Sequence, residues 1–461
     1  MASSGDTIAA LATPFGYGSV GIIRISGTGA FKIARRIFRP TRHTPHPESH
    51  RLYHGDIVSP QNGALIDEVL LCFMNKPHSY TGEDTVEINC HGGPLVIKTI
   101  LQTVLDLGAR LAEPGEFTKR AFLNNRIDLS RAEAILDLVR ARTERGLSEA
   151  VNRLKGSLAN AVSAIQDRLM DVLAVLEASI DFTEEDIPEM ETPQASAPLD
   201  ACLAELSALL GTYRNGRIYQ DGLRVLIIGK PNVGKSSLLN ALLETNRAIV
   251  TPIPGTTRDF IEESIQIGGL PVSLTDTAGI RKTSDEIELQ GIAMVYQKLA
   301  DADVVIAVFD GSRQLDDDDL LVMENTADKE QVIAVINKED LPTRFDTNEL
   351  LKRRPLSRPL PLSAKFETGL SALKDEISRL APASEVHDPG AVHITNIRHY
   401  HALSQAASLI AKARDHILEG SPPEIVAVDL GDALHQLGEV EGRTLSEDIL
   451  DRIFSTFCIG K

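Results

Sequence analysis

Short apolar runs bounded by glycine, proline or asparagine recur through the first 120 residues. Two of them, "SVGIIRIS" and "TVEINC", are rich in β-branched residues and predict strands. Near these runs, "GAFKIARRIF" and "PLVIKTILQTVLDLG" repeat apolar residues at helical spacing. Residues 1–120 are therefore predicted to form an α+β domain.

The pattern changes to helix alone over residues 121–221, where Ser130 and Glu133 are placed like a capping box. Strands and helices then alternate over residues 222–381, which predicts an α/β domain. Residues 382–461 are helical again. The economical interpretation is one helical domain with the α/β domain inserted into it. Two independent helical domains are the alternative.

The α/β domain opens with a phosphate-loop pattern. An apolar strand runs into "GKPNVGKSS" and then into an amphipathic helix, which is the G-x-x-x-x-G-K-[ST] pattern in its proper context. Backbone N–H groups and the helix N-terminus suit phosphate oxygens. Lys235 is expected to reach the β- and γ-phosphates and Ser236 to bind Mg²⁺. The predicted phosphate-binding residues are Asn232, Val233, Gly234, Lys235, Ser236 and Ser237.

The base is predicted from two later loops. Asn337, Lys338 and Asp340 form an N-K-x-D pattern after an apolar strand. Two acceptor oxygens on Asp340 match the N1–H and N2–H₂ donors of guanine, and unpaired acceptors would reject another base. The run "PLSAK" is similar to a guanine-contacting loop and adds Ser363, Ala364 and Lys365. The nucleotide is therefore predicted to be GTP.

Two further loops are predicted to sense the γ-phosphate. The first is the run Asp276, Thr277, Ala278 and Gly279, in which Asp276 would hold a Mg²⁺-bound water. The second is the loop Thr251, Pro252, Ile253, Pro254, Gly255, Thr256 and Thr257, in which Thr257 is preferred over Thr256 as the Mg²⁺ ligand. Such loops order with the γ-phosphate and relax after hydrolysis.

The site lacks two groups that Ras-like proteins use. Ile280 follows the D-T-A-G run, where Ras-like proteins carry a water-positioning glutamine. No arginine finger is evident, because Arg258 and Arg281 are best interpreted as solvated. The water-positioning group and the positive charge must therefore come from elsewhere.

The net charge and its distribution limit the kinds of partner that the chain is expected to bind. The net charge is −18, which argues against a general polyanion-coating protein. Residues 24–54 are an exception, because this segment contains seven lysines and arginines and only one acidic residue, Glu48. A binding surface and a solvated helix face explain this run about equally well. The acidic run Asp316–Asp319 is interpreted as a solvated loop.

The compartment is predicted from what the sequence lacks. The four cysteines show no pairing or metal-ligand spacing, so a disulfide framework or zinc site is not expected. The N-terminus has no basic start like that of a secretory signal. No apolar run reaches the roughly 18 residues that span a bilayer. The expectation is a cytoplasmic protein without membrane contact.

The chain resembles the MnmE (TrmE) tRNA-modification GTPases along essentially its whole length. The phosphate-loop motifs alone would not separate this family from other GTPases. The matching segments are specific when taken together, and they are "DTIAALATPFGYGSVGIIRISG", "TGEDTVEINCHGGP", "EPGEFTKRAFLNNRIDL", "GKPNVGKSSLLNAL", "PGTTRD", "DTAGIRKTSDEIE" and "FCIGK". The resemblance implies a folate-binding and dimerising N-terminal domain, a helical domain and an inserted Ras-like P-loop GTPase domain.

The resemblance also implies what replaces the missing catalytic groups. A K⁺ ion beside the phosphates would take the place of the arginine finger, because both offset the charge that builds there. Its ligands would be the Asn232 side chain and backbone atoms of Thr251, Ile253 and Thr256. Glu288 would orient the water. The GTP-binding domains would pair across a two-fold axis when GTP and K⁺ are bound.

The implied chemistry is addition of a carboxymethylaminomethyl or aminomethyl group to C5 of the wobble uridine of certain tRNAs. A 5-formyl- or methylene-tetrahydrofolate would donate one carbon. Its predicted contacts are Arg24, Glu87, Arg126 and Lys461, although lysine also occurs in the family where Arg126 stands here. A homodimer would join the FAD-dependent MnmG (GidA) in a heterotetramer or larger complex. The alternative is a switch GTPase for ribosome assembly or signalling without modification chemistry.

The tail "FCIGK" has two interpretations. Taken alone, Cys458 is a small apolar residue that ends a helix. The resemblance instead implies that Cys458 is a catalytic thiol delivered to the folate site, with Gly460 letting the tail turn.

Overall fold

The structure is a computed structural model that describes residues 5–42, 46–141, 143–181, 192–244, 262–276, 298–353, 359–380 and 392–460. The chain divides into two compact units. The first unit consists of Met1–Val139, Arg153–Ala204 and Ala402–Lys461, and the second consists of Arg140–Asn152 and Glu205–His401.

The strands and helices are numbered in chain order. The strands are β1 (Ile8–Leu11), β2 (Val20–Ser26), β3 (Phe38–Pro40), β4 (Arg51–Val58), β5 (Leu65–Met74), β6 (Thr85–His91), β7 (Arg110–Leu111), β8 (Leu223–Ile228), β9 (Glu262–Ile267), β10 (Leu270–Asp276), β11 (Val304–Asp310), β12 (Val332–Asn337) and β13 (Leu360–Pro361).

The described helices of the first half are α1 (Ala30–Ile37), α2 (Pro94–Asp106), α3 (Glu116–Leu123), α4 (Leu129–Arg140), α5 (Glu144–Leu154), α6 (Ser157–Asp181), α7 (Thr192–Gly211) and α8 (Tyr213–Asp221). Those of the second half are α9 (Lys235–Glu244), α10 (Asp317–Asn325), α11 (Thr347–Arg353), α12 (Leu370–Leu380), α13 (Ile397–Leu418), α14 (Pro423–Glu441) and α15 (Glu447–Phe454). In the described part of the chain, no helix is both long and apolar enough to cross a membrane.

The N-terminal part of the first unit is a seven-stranded sheet in the order β3-β4-β5-β6-β2-β1-β7. Alternation along β2 sends Ile23 and Ile25 into a core that α1 and α2 share, so Arg24 lies on the opposite face. Helix α1 contributes Ala30, Ile33, Ala34 and Ile37 to this core, at the i, i+3, i+4, i+7 spacing of one helix face. The predicted α+β domain is confirmed.

An ion-pair network fixes α3 beside this sheet. The buried carboxylate of Glu116 accepts hydrogen bonds from Arg110 at 2.6 Å and from Arg120 at 3.0 Å. Burial acts to raise the pKa of Glu116, but the hydrogen bond from Arg110 and the N–H of Glu113 outweigh it, so this pKa is lowered. The network holds the start of α3, where the C-terminal tail is received.

Helices from both sides of the α/β insertion pack together in the first unit. Helix α6 packs along α14, where Ser163 donates to Glu441 at 2.8 Å. Leu129 of α4 shares a core with Phe454 of α15 and with Phe457. One helical domain, interrupted by the α/β domain, is therefore confirmed over two independent ones. The residue numbers at which the domains were divided stay predictions.

The start of α4 corrects one local prediction. The carboxylate of Asp128 accepts the N–H of Arg131 at 3.0 Å, so Asp128 caps the helix. Ser130 and Glu133 are buried inside the helix, at 1% and 7% exposure. The predicted capping box was wrong because Asp128 already supplies the acceptor two residues earlier.

The second unit holds a six-stranded sheet in the order β13-β12-β11-β8-β10-β9, parallel except for β9. Every residue of β11 is buried, as expected for a parallel strand covered on both faces. Helices α9 and α12 share one core with the sheet, and α10 and α11 share the other. The predicted α/β domain is confirmed.

Candidate functional site

The phosphate loop (residues 229–236) joins β8 to α9 at the carboxyl edge of the parallel sheet, which is where such sheets bind ligands. Both of its glycines are required by contacts. A Cβ on Gly229 would lie 2.5 Å from the carbonyl oxygen of Val308, and a Cβ on Gly234 would lie 2.2 Å from Asn337 Nδ2. Gly234 also has φ +98°, a backbone conformation that favours glycine. The neighbouring strands β11 and β12 therefore pack directly against the phosphate loop.

Lys235 points into this loop. Its side chain is buried, and Nζ donates to the backbone carbonyl of Lys230 at 3.1 Å. Ser236 and Ser237 follow on the exposed side of the first turn of α9. The structure thus gathers an ammonium, a helix N-terminus and two hydroxyls around one loop, as the sequence predicts.

The Asn337 side chain joins the phosphate loop to the segment that contains Ala364. It is 3% exposed, and its Nδ2 donates to the carbonyl of Val233 at 2.7 Å. Its Oδ1 accepts the N–H of Ala364 at 3.0 Å. The amide predicted to contact the nucleotide is therefore committed to joining the phosphate loop to the guanine-contacting loop.

Lys338 lies along the phosphate loop. Its Nζ donates to the carbonyl of Asn232 at 2.9 Å and to the carboxylate of Asp310 at 2.7 Å. Burial acts to raise the pKa of Asp310, but hydrogen bonds from Lys338 and Ser312 outweigh burial and lower this pKa. Asp310 therefore anchors Lys338 as a carboxylate.

The carboxylate of Asp340 lies at the surface in a fixed orientation. The buried hydroxyl of Ser363 donates to Asp340 Oδ1 at 2.6 Å. Ser363 thus fixes the direction of a carboxylate that is otherwise exposed. Lys365 is exposed beside it, with Nζ 5.1 Å from the ring centre of Phe366. The arrangement suits a planar ring that presents paired N–H donors.

Several predicted site residues lie outside the described part of the chain. They are Thr251, Pro252, Ile253, Pro254, Gly255, Thr256, Thr257, Thr277, Ala278, Gly279, Glu288 and Lys461. Asp276 ends β10, where its Cα pairs with that of Ile227 on β8. Its backbone therefore reaches the strand end from which the phosphate loop starts.

An ion-pair cluster that the sequence does not predict joins the phosphate loop to the start of α10. Lys230 is 6% exposed, and its Nζ donates to Asp316 and Asp319 at 2.6 Å each. The two aspartates also form a capping box at the start of α10. The prediction that Asp316–Asp319 is a solvated loop was wrong, because Asp319 is buried against Lys230.

Charge holds this cluster together. Burial acts to lower the pKa of Lys230, but its hydrogen bonds to the two aspartates outweigh burial and raise it. Burial raises the pKa of Asp319, whose Oδ1 has no partner among the described residues. No local signal in the sequence reveals the pairing, because Lys230 lies 86 and 89 residues from its partners.

A second cluster lies on the sheet of the first unit, on the face opposite α1. Arg24 donates from Nε to Glu87 at 2.8 Å. Its guanidinium lies between two rings, 5.0 Å from the centre of Tyr80 and 5.6 Å from the centre of Phe117. Arg126 donates to the carbonyl of Ser79, next to Tyr80, at 3.2 Å. The structure therefore brings Arg24, Glu87 and Arg126 into one region.

The C-terminal tail ends at the same cluster. Arg24 Nη1 donates to the carbonyl of Gly460 at 3.2 Å, and the N–H of Gly115 donates to the carbonyl of Cys458 at 3.3 Å. A Cβ on Gly460 would lie 2.1 Å from the carbonyl oxygen of Leu11, so a glycine is needed for this approach. Cys458 itself is exposed. The predicted meeting of tail and Arg24 is present in the described residues.

The fold and the site together show that the second unit contains a P-loop GTPase domain. Comparison with known proteins then gives the family. The family described as "MnmE helical domain" matches residues 129–458, and that described as "GTP-binding protein TrmE N-terminus" matches residues 7–126.

Full-length relatives agree with these matches. A "tRNA modification GTPase MnmE" of Syntrophus aciditrophicus (strain SB) is 48% identical over 456 residues, which cover 99% of both chains. Another protein of that name, from Acetivibrio thermocellus, is 46% identical over 459 residues and again covers 99% of both chains. This chain therefore belongs to the MnmE family of tRNA modification GTPases.

We expect the stability of the protein to depend on the positive charge of Lys230. Lys230→Met leaves the carboxylates of Asp316 and Asp319 without their buried cation, so the free energy of unfolding should fall by about 3 kcal/mol. GTP affinity should fall as well, because the lost ion pairs no longer fix the backbone at Lys230, whose carbonyl accepts from Lys235. Lys230→Arg keeps the charge and should lose much less. Thermal unfolding and GTP titration of the full chain measure both, and unchanged values for Lys230→Met would contradict a supporting role.

We expect Asp340 to set the preference of the nucleotide site for guanine. Asp340→Asn replaces an acceptor oxygen by a donor, so the ratio of GTP to xanthosine triphosphate affinity should fall by at least about 100-fold. Ser363→Ala is the matched control. It removes the orienting hydrogen bond and keeps the carboxylate, so it should weaken GTP binding without favouring xanthosine triphosphate. Competition titrations measure the ratio, and a retained guanine preference in Asp340→Asn would refute the role.

Proposed function

We propose that this chain hydrolyses GTP at the phosphate loop and that hydrolysis serves the modification of tRNA. The observation that carries the proposal is the presence, in one chain, of a phosphate loop joined to the predicted guanine-contacting residues and of a C-terminal tail fixed beside Arg24. A switch GTPase would need the first feature and has no use for the second. Family membership over the whole chain supports the same conclusion.

The chemistry of phosphoryl transfer asks mainly for positioning and charge stabilisation. Backbone N–H groups of the phosphate loop would bind the phosphates, and Lys235 would neutralise charge on the β- and γ-phosphates. The Ser236 hydroxyl, exposed at the first turn of α9, is an oxygen ligand of the kind that Mg²⁺ prefers, and Thr257 and the Asp276-bound water would complete its shell. The Mg²⁺ ion would add positive charge between the phosphates.

We also propose that K⁺ supplies the charge of the missing arginine finger and that Glu288 orients the water. Asn232 fits the role of a K⁺ ligand. It is exposed in a left-handed conformation with φ +65°, and its backbone carbonyl already accepts from Lys338. The side-chain amide oxygen therefore remains to serve as an ion ligand, together with backbone atoms of the Thr251–Thr256 loop.

This assignment predicts a salt effect on hydrolysis. GTP turnover in KCl should exceed turnover in equimolar NaCl by at least tenfold, and Asn232→Ala should remove most of the difference. Glu288→Ala should slow hydrolysis in both salts and leave GTP affinity near normal. Turnover at saturating GTP, together with sedimentation to detect K⁺-dependent pairing of the GTP-binding domains, measures these effects. Equal rates in the two salts would rule out the K⁺ role.

The Arg24 cluster is proposed as the site of a 5-formyl- or methylene-tetrahydrofolate, which would supply one carbon when bound. Its groups fit such a ligand in kind. Glu87 offers acceptors to a pterin edge, Arg24 and Arg126 offer positive charge to carboxylates, and the Tyr80 ring borders the region. Lys461, one residue beyond Gly460, would add a further charge.

The exposed thiol of Cys458 is proposed to act in the modification step. Its carbonyl is fixed by Gly115, and Gly460, two residues on, is fixed by Arg24. Two residues span at most about 7 Å, so the thiol is tethered close to the proposed folate site. The proposed product is a wobble uridine that carries a carboxymethylaminomethyl or aminomethyl group at C5. A homodimer of this chain with the FAD-dependent MnmG would be the complete enzyme.

Reconstitution tests the whole proposal. The purified chain, the FAD-dependent partner, tRNA, GTP, KCl and methylene-tetrahydrofolate should together yield modified uridine, measured by mass spectrometry of nucleosides. Omission of the folate, the partner or GTP should abolish the product. Cys458→Ser should hydrolyse GTP normally and yield no product, with Cys202→Ser as the control because that thiol is buried away from solvent. Normal GTP hydrolysis with no modified uridine in the complete mixture would favour the switch alternative.

A further inference from the structure

The exposed face of α1 carries a row of cations. Lys32, Arg35 and Arg36 lie at i, i+3 and i+4 of α1, which places them along one side of the helix. Arg39 follows in β3, and its Nη1 donates to the carbonyl of Arg36 in the last turn of α1. All four are exposed, whereas the opposite face is packed into the core of the sheet. The three cations on α1 span about 6 Å along the helix axis at the helical rise per residue. We call these four residues the α1 basic row.

No member of the row has a carboxylate partner among the described residues. Among the described residues, Lys32, Arg35 and Arg36 form no ion pair, whereas the nearby Arg51 is paired with Glu48 at 3.0 Å. Arg39 is fixed differently, because its Nη1 donates to the carbonyls of Arg36 at 3.2 Å and Phe38 at 3.1 Å. These cations therefore keep their capacity to bind an external anion.

The rest of the chain makes this row distinctive. A net charge of −18 repels a polyanion from most of the surface. A tRNA nevertheless has to be bound if the proposed function holds, and backbone phosphates bind through lysines and arginines. Helix α1 has no acidic residue in its first turn and none elsewhere. The row therefore offers RNA phosphates an approach without a repelling carboxylate on the same helix.

We propose that the α1 basic row is a docking surface for the phosphate backbone of tRNA. The proposal rests on the proposed function and adds the place of contact. Arg24 faces the other side of the sheet, because its neighbours Ile23 and Ile25 enter the core beneath α1. The row would accordingly hold the body of the tRNA, and its contacts would carry affinity without selecting a base.

Removal of three charges tests the surface. In Lys32→Ala/Arg35→Ala/Arg36→Ala, binding of tRNA to the full chain should weaken at least tenfold in about 100 mM salt. The plot of log affinity against log salt should become shallower by about 2, since about three phosphate contacts are lost. The control is Arg379→Ala/Lys412→Ala/Arg414→Ala, which removes the same charge from exposed or half-exposed positions elsewhere. The control should bind tRNA like the unaltered chain. GTP hydrolysis should be normal in both variants.

A measurement on the unaltered protein avoids any effect of substitution on folding. Bound tRNA should protect Lys32 from chemical acetylation and leave Lys412 equally reactive. Equal tRNA affinity in the two triple variants, unprotected Lys32, or no binding of tRNA by the unaltered chain at low salt would each overturn the proposal. None of these results decides the proposed function, which is judged by the yield of modified uridine in the reconstituted mixture.

Discussion

The side-chain amide of Asn337 is the constraint on which the nucleotide site depends. It donates to the Val233 carbonyl in the phosphate loop and accepts from the Ala364 N–H in the guanine-contacting loop. Two segments that are predicted to bind opposite ends of a nucleotide are thereby held at one separation. The contact is close enough to exclude any Cβ at Gly234, so the glycine is required by tertiary packing as well as by its backbone angle. A buried amide with both ends paired costs little to desolvate and fixes both loops.

Buried and half-buried charges support this arrangement from two sides. Lys338 is anchored by Asp310 and lies along the phosphate loop, and Lys230 is anchored by Asp316 and Asp319 beneath it. Within the same loop, the carbonyl of Lys230 accepts a hydrogen bond from Lys235. Charge pairing and phosphate-loop geometry are therefore coupled, and removal of one partner would leave a charge with poor solvation.

Other parts of the chain pack against both faces of the sheet in the first unit. One face is covered by α1 and α2, and the outer side of α1 carries the α1 basic row. The other face holds Arg24 between two aromatic rings, with the C-terminal tail fixed against it. Strand alternation separates the two surfaces, because neighbouring residues of β2 point in opposite directions. The tail reaches its place because Gly460 and Gly115 permit close backbone approach.

The sequence by itself determined the order of the domains, the phosphate loop and the family, and it predicted the guanine-contacting residues, because these depend on local spacing and on residue types with few alternative uses. It also indicated that Arg24, Glu87 and the tail belong together, through resemblance. It did not reveal the Asn337 bridge or the pairing of Lys230 with Asp316 and Asp319, and it misplaced the cap of α4. The first two contacts join residues that are far apart in sequence, and the cap depends on the residue at which α4 begins, so only the folded chain reveals them. The tertiary structure decided which charges are buried and paired, which remain exposed on α1, and where the tail ends.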